Sequence, residues 1–546
     1  MKRFAAILAI ASLASSAYAQ TMYDALTFSE NDYAGTARTL AMGNAFTALG
    51  GDPGSIAINP AGSAVAKYSQ FSFSPGMAFT VNKANGTISE GFKTPTSFDR
   101  TMRNTTGNFH FPNTGFTINF DTHRKSGVKN VTIGFVANVS NTYRDGLYAR
   151  GLNTTSSFAS GLATMAYGFD QNDLNAENAY DAFSPADWKY VLGWRSYIMN
   201  PDASDPSGYY GVTENVDGNG KIYRAGNVNH TFGRNINGSK YDCLLNIGLN
   251  ISDIVYIGAN LGIVSLKYAS EEYFIETPEE ASFFQTGFSR LKYNSQYQAS
   301  GTGVYGKFGI IVTPGGGFRF GAAIQTPTAM SPINEAWKSY ASVTSSDRNF
   351  SGNDETPQGE YSYRLTTPMR FNVGAAYSFG SFAVLSADYE MCDYRKMRFT
   401  ELYTADNSEF DSVNDDIREY MGISNMLRAG IEIKPVSSFA VRAGYGLTTA
   451  PDKWYDGDGM LVKNKAKSHK YSFGLGYSSN GSFYADAAFA VKQYAKEFVM
   501  PYETALIDAE GIVLDGNIPV VDYNLSPEIL NRKWLWTAVL TLGFRF

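Results

Sequence analysis

The sequence predicts an all-β protein, a closed antiparallel transmembrane β-barrel of about fourteen strands. Apolar residues alternate with polar or small residues over stretches of about ten residues, which is long enough for a tilted strand to cross a bilayer. Short turns and long loops connect these stretches alternately, a pattern typical of membrane barrels. The 546-residue chain is rich in glycine and aromatic residues, and no linker divides it. A single soluble domain of this length would be unusual.

The alternation is clearest at the C-terminus. From Trp534 to Phe546 every even position is apolar, whereas the odd positions mix polar and small side chains. The first set suits a lipid-facing wall and the second a lumen. The same period recurs at 131–140 and at 243–263, where Ser252-Asp253 predicts a very short turn. Asn480-Gly481 is a further strong turn dipeptide.

The predicted strands can be placed along the chain, with boundary errors of about two to four residues. An even number of strands puts both ends of the barrel chain on one side. The longest connection, 143–240, then lies on the opposite side. The alternative is a large soluble β protein such as a propeller, which would repeat every 40 to 50 residues or so, and the spacing here is uneven. The strands are expected near 69–80, 107–121, 129–142, 241–251, 254–268, 300–312, 318–326, 361–378, 382–396, 426–435, 439–447, 469–478, 482–493 and 533–546.

Residues 1–19 are expected to be a secretory signal peptide. Lys2-Arg3 precedes an apolar run, and Ala17-Tyr18-Ala19 has the small residues of a cleavage site. No later stretch approaches the roughly 20 apolar residues of a membrane helix. The formal net charge of −6 gives no basic surface for nucleic acid. Cys243 and Cys392 fall in non-adjacent predicted strands, so both are expected to be free.

Residues 20–66 precede the first strand and are expected to plug the barrel. Their small side chains can pack closely against a lumen wall, and a fourteen-strand barrel would otherwise leave a hole. Asp52 before Pro53 predicts a helix start, and Asn59 before Pro60 predicts the end of that turn. A disordered leader is the alternative, but the segment carries little charge.

This opening segment resembles the N-terminal hatch of the FadL/TodX outer-membrane transporters for long-chain fatty acids and hydrocarbons. The resemblance rests on Gly35-Thr-Ala-Arg38, on Ala41 to Phe46, on Gly50-Gly-Asp-Pro53 and most specifically on Asn59-Pro60-Ala61. Later stretches are also similar to hairpins of that family, and the likeness covers the whole mature chain. Those stretches are Lys307–Pro314, Phe318–Thr328, Thr367–Tyr377 and Ser386–Tyr389.

The resemblance implies a hatch over 20–66, a barrel over 67–546 and passive uptake of hydrophobic small molecules. In such a mechanism a ligand is captured outside, binds against the hatch and leaves sideways through the wall. It also implies a place in the outer membrane of a Gram-negative bacterium, in contact with lipid, and a monomer is the simpler expectation. The last strand, ending at Phe546, would be its contact with the barrel-assembly machinery. No cofactor, nucleic acid or enzymatic activity is expected. The alternatives are a receptor for haem or another bulky apolar ligand, and a barrel that assists protein secretion.

Two apolar stripes in the longest loop are the candidate ligand contacts. The first should lie on a helix capped by Ser156 or Ser157, and the second follows a near capping box at Ser184–Asp187. An exposed apolar groove would collect an acyl chain or hydrocarbon. The alternative is that the two helices bury these stripes against each other. The stripes comprise Phe158, Leu162, Met165, Phe169, Trp188, Val191 and Leu192.

A sideways exit needs an irregular wall, and two places in the sequence are candidates. Pro75-Gly76 interrupts the first strand, because proline cannot donate to the ladder, and Gly134 weakens the third. The family's gap is associated with its third strand, yet this third strand lacks a proline. An ordinary bulge is the alternative at both places.

Neither a metal site nor a catalytic site is predicted. The stretch from Asn215 to Gly226 resembles the first half of a calcium loop, but Gly226 stands where the bidentate glutamate belongs, so a glycine-rich turn is favoured. The four histidines lack metal-ligand spacing and are expected on the surface or in loops. They are His110, His123, His230 and His469.

Overall fold

The computed structural model describes residues 20–88, 94–181, 184–404, 406–455, 460–479, 482–502 and 526–546. The expected signal peptide, 1–19, and the expected Asn480-Gly481 turn lie outside the described residues.

Fourteen antiparallel strands form a closed barrel, which confirms the predicted fold class. Each strand pairs with the next in the chain, and β1 pairs with β14 to close the wall. The strands are β1 (Gln70–Gly86), β2 (Met102–Asp121), β3 (Val128–Thr142, continued by Asp145–Asn153), β4 (Val228–Ile251), β5 (Val255–Pro278), β6 (Phe288–Gly315), β7 (Phe318–Gln325 and Ala329–Ser345), β8 (Gly359–Thr366 and Arg370–Phe379), β9 (Ala383–Asp393, continued by Arg398–Glu401), β10 (Ile423–Val436), β11 (Phe439–Thr449), β12 (Lys467–Ser478), β13 (Phe483–Gln493, continued by Glu497–Val499) and β14 (Ile529–Arg545).

Short helices and hairpins occupy the N-terminal segment and the long loops. The α-helices are α1 (Met22–Ser29), α2 (Ala37–Ala41), α3 (Phe158–Met165), α4 (Gln171–Asn175), α5 (Trp188–Arg195) and α6 (Asp411–Tyr420). The 3₁₀ turns are Pro53–Ala57, Pro60–Val65, Ala281–Phe283, Arg348–Phe350, Tyr394–Lys396 and Ser408–Phe410. Short strands pair Met199–Pro201 with Tyr209–Gly211, Glu214–Val216 with Ile222–Arg224, and Lys453–Tyr455 with Leu461–Lys463, while Gly352–Glu355 adds to β7. Among the described residues no helix is both long and apolar enough to span a membrane.

Several strands run further toward the long loops than their hydrophobic alternation predicts. The β4–β5 ladder continues without a break to Val228 opposite Pro278, whereas β4 was expected to begin near 241. The added length mixes polar residues with buried apolar ones such as Phe232 and Phe274, without the regular alternation of the rest of the strands, but its main-chain groups still pair. The longest loop is therefore 154–227 rather than 143–240.

The two faces of the wall differ as the alternation predicts. In β14 the even positions Trp536, Leu540 and Phe544 are exposed outward, whereas Val539 and Thr541 are buried toward the lumen. Every strand contributes at least one large apolar side chain to the outer face, and together they form an apolar belt. One representative of each strand, in order, is Phe79, Phe116, Ile133, Leu245, Leu261, Phe308, Phe320, Phe371, Leu385, Leu427, Phe439, Phe473, Phe489 and Leu540.

The turns and loops separate to the two ends of the barrel. Ser252 and Asp253 form the expected tight turn, with positive φ at both residues. On that same side the two ends of the barrel chain meet, since Ser69 and Phe546 exchange main-chain hydrogen bonds. Cys243 in β4 and Cys392 in β9 are free, as predicted.

Candidate functional site

The N-terminal segment, residues 20–66, packs against the inner wall of the barrel through a ring of glycines. These glycines lie on eight strands, and a Cβ atom built on any one of them would come closer than 3.0 Å to the segment. Small residues on both sides therefore allow main chain to approach main chain. The ring consists of Gly248, Gly258, Gly309, Gly321, Gly374, Gly430, Gly444 and Gly474.

The Asn59-Pro60-Ala61 element is the tightest part of this contact. Asn59 is completely buried, and its amide donates to the carbonyl oxygens of Thr47 at 2.6 Å and Ile310 at 3.1 Å. Its side-chain oxygen accepts from the Ala61 N–H and so starts the second 3₁₀ turn. Asp52 caps the first turn in the same way, as predicted from Pro53. Asn59 thus ties the segment both to itself and to β6.

Buried charges add a second set of contacts between the segment and the wall. Arg38 pairs with Glu432 at 2.9 Å, and Glu432 in turn pairs with Arg442 at 2.6 Å. On the other side, the Asp388 carboxylate accepts from the main chain and the hydroxyl of Thr47 at 2.8 and 2.7 Å. Removing one partner of such a buried pair typically costs about 3–5 kcal/mol, because the other charge is left uncompensated.

Lysine and arginine side chains of the barrel wall bind the stretch 28–34 of the N-terminal segment. The Lys240 ammonium group donates to the carbonyl oxygens of Phe28 and Glu30, and Arg370 donates to that of Ser29. Lys470 and Lys492 hold the Asp32 carboxylate between them at 3.0 and 2.9 Å. All these cations come from the barrel, so the position of this stretch depends on charges in the wall.

Three adjoining cavities surround residues 28–33. Two of them share Asn31, Asp32 and Lys492 as lining residues. The third is lined by charged side chains, including Lys240 and Arg370, together with the apolar Phe28 and Val264.

Main-chain pairing between β2 and β3 is interrupted over one stretch, which is called the β2–β3 window here. Main-chain pairing of the two strands runs only as far as Asn113 opposite Asn138, counted from the turn side. Within 94–181, the next pairing between these two parts of the chain is the isolated bridge of Arg100 with Arg150. Between these points β2 pairs with β1 alone and β3 with β4 alone.

Two prolines lie beside the lower edge of this window. The β1–β2 register shifts between Ser74 and Gly76, so the irregularity expected at Pro75-Gly76 is present. Pro112 of β2 lies against it, since a Cβ on Gly76 would fall closer than 3.0 Å to the Pro112 ring. Neither proline has an N–H to pair. Sequence reasoning missed Pro112, although a proline inside a predicted strand was a usable signal.

At Gly134 the expected irregularity does not occur. Gly134 pairs in unbroken register with Thr117 on one side and Asn246 on the other. A Cβ there would meet the Thr117 side chain at 3.0 Å, so this glycine accommodates a neighbour rather than opening the wall.

The window is covered from the inside by two different parts of the chain. Residues 144–146 cover its upper part. The carbonyl group of Arg144 accepts a hydrogen bond from Thr80, and that of Gly146 accepts from Asn82 and Asn104. Its lower part faces the N-terminal segment, because the Asp32 N–H donates to the Ser140 carbonyl at 2.6 Å. The second contact is the one that a movement of the segment would break.

The apolar stripes of the longest loop are brought together, but they face inward. Phe158 is 5% exposed and packs on the rings of Phe274, Tyr293 and Tyr502 at 5.2–5.6 Å. Leu162 contacts α5 where Gly193 leaves space. Val191 and Leu192 are fully buried, and Met165, Phe169 and Trp188 are half-buried. The stripes thus form the core of the loop region, and a part in ligand capture stays a prediction.

The caps of these two helices are only partly as predicted. Ser157 is the N-cap of α3 and accepts from Ala159 N–H, in agreement with the sequence. Ser184 does not cap α5, because that helix begins one residue after Asp187, whose side chain makes no capping hydrogen bond.

One buried cluster was missed by sequence reasoning. His230, expected on the surface or in a loop, lies in β4 and is fully buried. Its ring joins the Ser97 hydroxyl at 2.9 Å to the Glu276 carboxylate at 2.8 Å. Glu276 also accepts from the main chain of Phe158 at the start of α3. All three side chains are at most 2% exposed, so the cluster ties the loops together rather than meeting a substrate.

The stretch from Asn215 to Gly226 forms a hairpin turn. The Asp217 carboxylate accepts from the N–H groups of Asn219 and Lys221 at 2.8 and 2.9 Å. Asn215 points away and donates to the Phe283 carbonyl. Within the described ranges, no group of three or more His, Cys, Asp or Glu side chains is placed to hold a metal ion.

Comparison with known proteins finds similar structures but no similar sequences. No protein-family model and no curated protein matches the chain. The toluene transporter TodX of Pseudomonas putida is 11% identical, with a TM-score of 0.47, over 95% of this chain and 100% of that one. The toluene transporter TbuX of Ralstonia pickettii is 13% identical, with a TM-score of 0.46, over 94% and 98%. A FadL homologue from Pseudomonas aeruginosa is 9% identical, with a TM-score of 0.46, over 96% and 99%.

Both family names to which the sequence was likened, TodX and FadL, therefore occur among these neighbours. Identities of 9–13% and TM-scores of 0.46–0.47 leave the function of this chain to be argued from its own residues.

Proposed function

We propose that this protein is an outer-membrane channel for passive uptake of hydrophobic small molecules. The N-terminal segment acts as the plug, the cavities around residues 28–33 are the interior binding site, and the β2–β3 window is the sideways exit.

The proposal rests on the β2–β3 window, which lies beside a lumen that the N-terminal segment fills. The segment 20–66 contacts eight strands of the inner wall, so the straight route along the axis is obstructed. The remaining way out passes between Asn113 and Arg100 on one side and Asn138 and Arg150 on the other. Outside lies the apolar belt, which faces lipid in a membrane.

A sideways exit favours an apolar cargo for a physical reason. Each methylene that stays out of water stabilises the bound or membrane-dissolved state by about 0.8 kcal/mol. A molecule that passes from the interior directly into the bilayer keeps this stabilisation, whereas a polar solute would lose its hydration. The position of Pro75 and Pro112 at the window edge fits a wall that is weak at this point.

Capture is assigned to the loop region, whose core includes Phe158 and Leu162, with Trp188 at its edge on the ring of Tyr180. Trp188 is only half-buried, and its indole N–H has no hydrogen-bond partner among the described residues. A ligand would enter where this core reaches the surface, between α3 and α5.

The test is native extraction in mild detergent, followed by mass spectrometry of the small molecules that co-purify. Wild-type protein should retain long-chain apolar or amphipathic molecules. A variant with Phe158, Leu162 and Trp188 replaced by Ser should retain at least tenfold less, because even one lost apolar contact of about 1.5 kcal/mol corresponds to about a tenfold lower affinity. Replacement of the exposed Tyr403 by Ser is the matched control.

The outcomes separate the alternatives. A bound haem would favour a receptor for bulky apolar ligands. A preparation without small molecules that carries a stoichiometric protein would contradict uptake and favour the secretion role. Equal retention by wild type and the triple variant would remove the loop core from the capture route.

A further inference from the structure

Three cationic side chains stand in one row on the outer face of the barrel wall. Lys83 of β1 lies directly opposite Arg103 of β2 on one side and Arg532 of β14 on the other. Each belongs to the outward-facing set of its strand; Lys83 and Arg103 are exposed, and Arg532 is half-buried. Neighbouring strands lie about 4.8 Å apart, so the row is about 10 Å long. We call these three residues the cation row.

The cation row has no acidic partner in the wall. Among the described residues, none of its three members forms an ion pair. Like charges directly opposite each other on neighbouring strands destabilise a sheet, and the outward positions two residues along each strand are all uncharged. Those positions are Val81, Asn85, Thr105, Leu530 and Trp534. An anion bound from outside the barrel would relieve this repulsion.

A second pair of like charges continues the row toward β3. Arg100 and Arg150 form the isolated bridge at the upper end of the β2–β3 window, and both are exposed. Their acidic neighbour Asp99 accepts a hydrogen bond from the main-chain N–H of Leu152 at 3.2 Å. Positive charge therefore extends across four adjacent strands of the closed wall.

The cation row stands directly beside the apolar belt, at its long-loop edge. On β14, Trp534 and Trp536 follow Arg532 at the next two outward positions toward the belt. On β1, Phe79 is 41% exposed and lies opposite Trp536. Tryptophan and tyrosine mark the interface between a membrane and water. Arg532, on the long-loop side of Trp534, therefore lies at the level of the lipid headgroups.

We propose that the cation row binds the phosphate groups of a lipid of the outer leaflet, and that the acyl chains of this lipid lie on the apolar belt below. The arginine guanidinium groups suit phosphate because they can donate two parallel hydrogen bonds. Three cations within about 10 Å favour a lipid that carries more than one phosphate over a zwitterionic one. The inference requires the barrel to lie in the outer membrane, but it does not require that the barrel transports a ligand.

The experiment measures lipid binding to the purified full-length protein in non-ionic detergent by native mass spectrometry. The probes are lipid A with two phosphates, its monophosphoryl form and phosphatidylethanolamine, and wild type should bind them in that order of decreasing affinity. Replacement of Lys83, Arg103 and Arg532 together by Gln should weaken the binding of lipid A about a hundredfold, because each cation near a phosphate-bearing surface contributes about a fivefold factor.

A matched pair of single variants tests the place of the charge. Lys83→Gln removes the centre of the cation row and should weaken the binding of lipid A about fivefold. Lys267→Gln is the control, because Lys267 also faces outward from a strand, β5, but lies between the neutral Ser239 and Ser300. Its replacement removes the same charge and should leave the affinity as in wild type.

Thermal unfolding supplies the second readout and shows that the variants fold. Without lipid, the triple variant should unfold at the same temperature as wild type or at a higher one, because the repulsion between opposite positions is gone. Added lipid A should raise the unfolding temperature of wild type, since a ligand that binds only the folded state stabilises it. It should not raise that of the triple variant.

Three results would overturn the inference. The first is equal affinity of wild type and the triple variant for lipid A. The second is binding of phosphatidylethanolamine as tight as that of lipid A, and the third is equally tight binding of inorganic pyrophosphate, which would indicate a site for soluble phosphates. None of these measurements uses an apolar cargo, so failure here leaves the uptake function standing, and failure of uptake leaves this inference standing.

Discussion

At the residue scale, the absence of a side chain decides how closely the N-terminal segment approaches the wall. Gly444 and Gly446 stand two positions apart on the inner face of β11. A Cβ on Gly444 would fall closer than 3.0 Å to the main chain of Met42 and Gly43. A Cβ on Gly446 would meet nothing closer than the Lys470 Cβ atom at 3.5 Å. Comparing substitutions of Gly444 and Gly446 therefore tests the contact with the N-terminal segment rather than the loss of a glycine as such.

We expect Gly444→Ala to displace the segment and Gly446→Ala to leave it in place. Overpacking a closely packed contact costs about 1–3 kcal/mol, which the protein can relieve by moving residues 42–43 off the wall. Planar-bilayer recordings should then show a higher ion conductance for Gly444→Ala, with a lower thermal midpoint. Equal conductance in the two variants would mean that the ring of glycines does not hold the segment.

Of the side chains that hold the N-terminal segment, sequence reasoning found one and missed others. Asn59 was singled out from the Asn-Pro-Ala motif, and its buried hydrogen bonds to Thr47 and Ile310 give that motif a physical role. The lysine pair around Asp32 was not foreseen. Asp32 is more than 400 positions away from Lys470 and Lys492 in the chain, and no local pattern marks residues that meet only when the barrel closes.

At the scale of elements, β2 and β3 pair over only part of their length. Pro112 lacks the N–H that pairing beyond Asn113 would need, and Pro75 lies close by across the β1–β2 register shift. A main-chain hydrogen bond contributes about 1 kcal/mol. Restoring the pairing of only a few residues would therefore be enough to extend the β2–β3 ladder into the window.

Pro112→Val should narrow the window by restoring a main-chain donor at its lower edge. A gain of about 1 kcal/mol for the closed wall corresponds to about a fivefold lower rate of dodecanoate uptake into proteoliposomes, whereas interior binding in detergent should not change. Pro435→Val, at the β10–β11 turn and away from the window, is the control. An unchanged uptake rate together with new exchange protection at residue 112 would show that cargo does not leave by this route.

The loop helices show the limit of helical periodicity as evidence. The apolar stripes of α3 and α5 predicted two helices, and both are present. Periodicity does not say whether a stripe faces solvent or another surface. Phe274 and Tyr293, on β5 and β6, turn the Phe158 stripe into part of a core.

At the scale of the whole molecule, fourteen strands enclose a bore that side chains alone do not fill. The segment 20–66 supplies the missing packing, with Ala37, Ala41, Ala45 and Ala57 each at most 1% exposed. The segment depends on the wall for its burial, but the wall closes through its own hydrogen bonds.

Deletion of residues 20–62 should therefore leave a folded barrel with a much larger conductance. The β1–β14 pairing that closes the wall lies outside the deleted stretch, so heat-modifiable migration on gels and the circular dichroism of β-structure should persist. Single-channel conductance in planar bilayers measures the opened bore. A deletion variant that is folded and conducts no better than the full-length protein would contradict the role of the segment as a plug.

The sequence by itself determined the barrel. Because side chains of a strand alternate between faces, the apolar and polar positions of β14 and of the other strands could be assigned without any knowledge of their neighbours. The even strand number then followed, as did the tight turn at Ser252-Asp253. These properties are local, since each depends on residues within one strand or one turn.

Only the tertiary structure decided where β2 and β3 stop pairing and what holds the N-terminal segment. The window depends on where β2 stops pairing with β3, and Gly134, a candidate from sequence, pairs normally on both sides. The ion pairs of Asp32 require Lys470 and Lys492 to lie side by side on adjacent strands. The first is set by pairing between two whole strands, and the second joins parts of the chain more than 400 positions apart, which meet only after the barrel has closed around its own N-terminus.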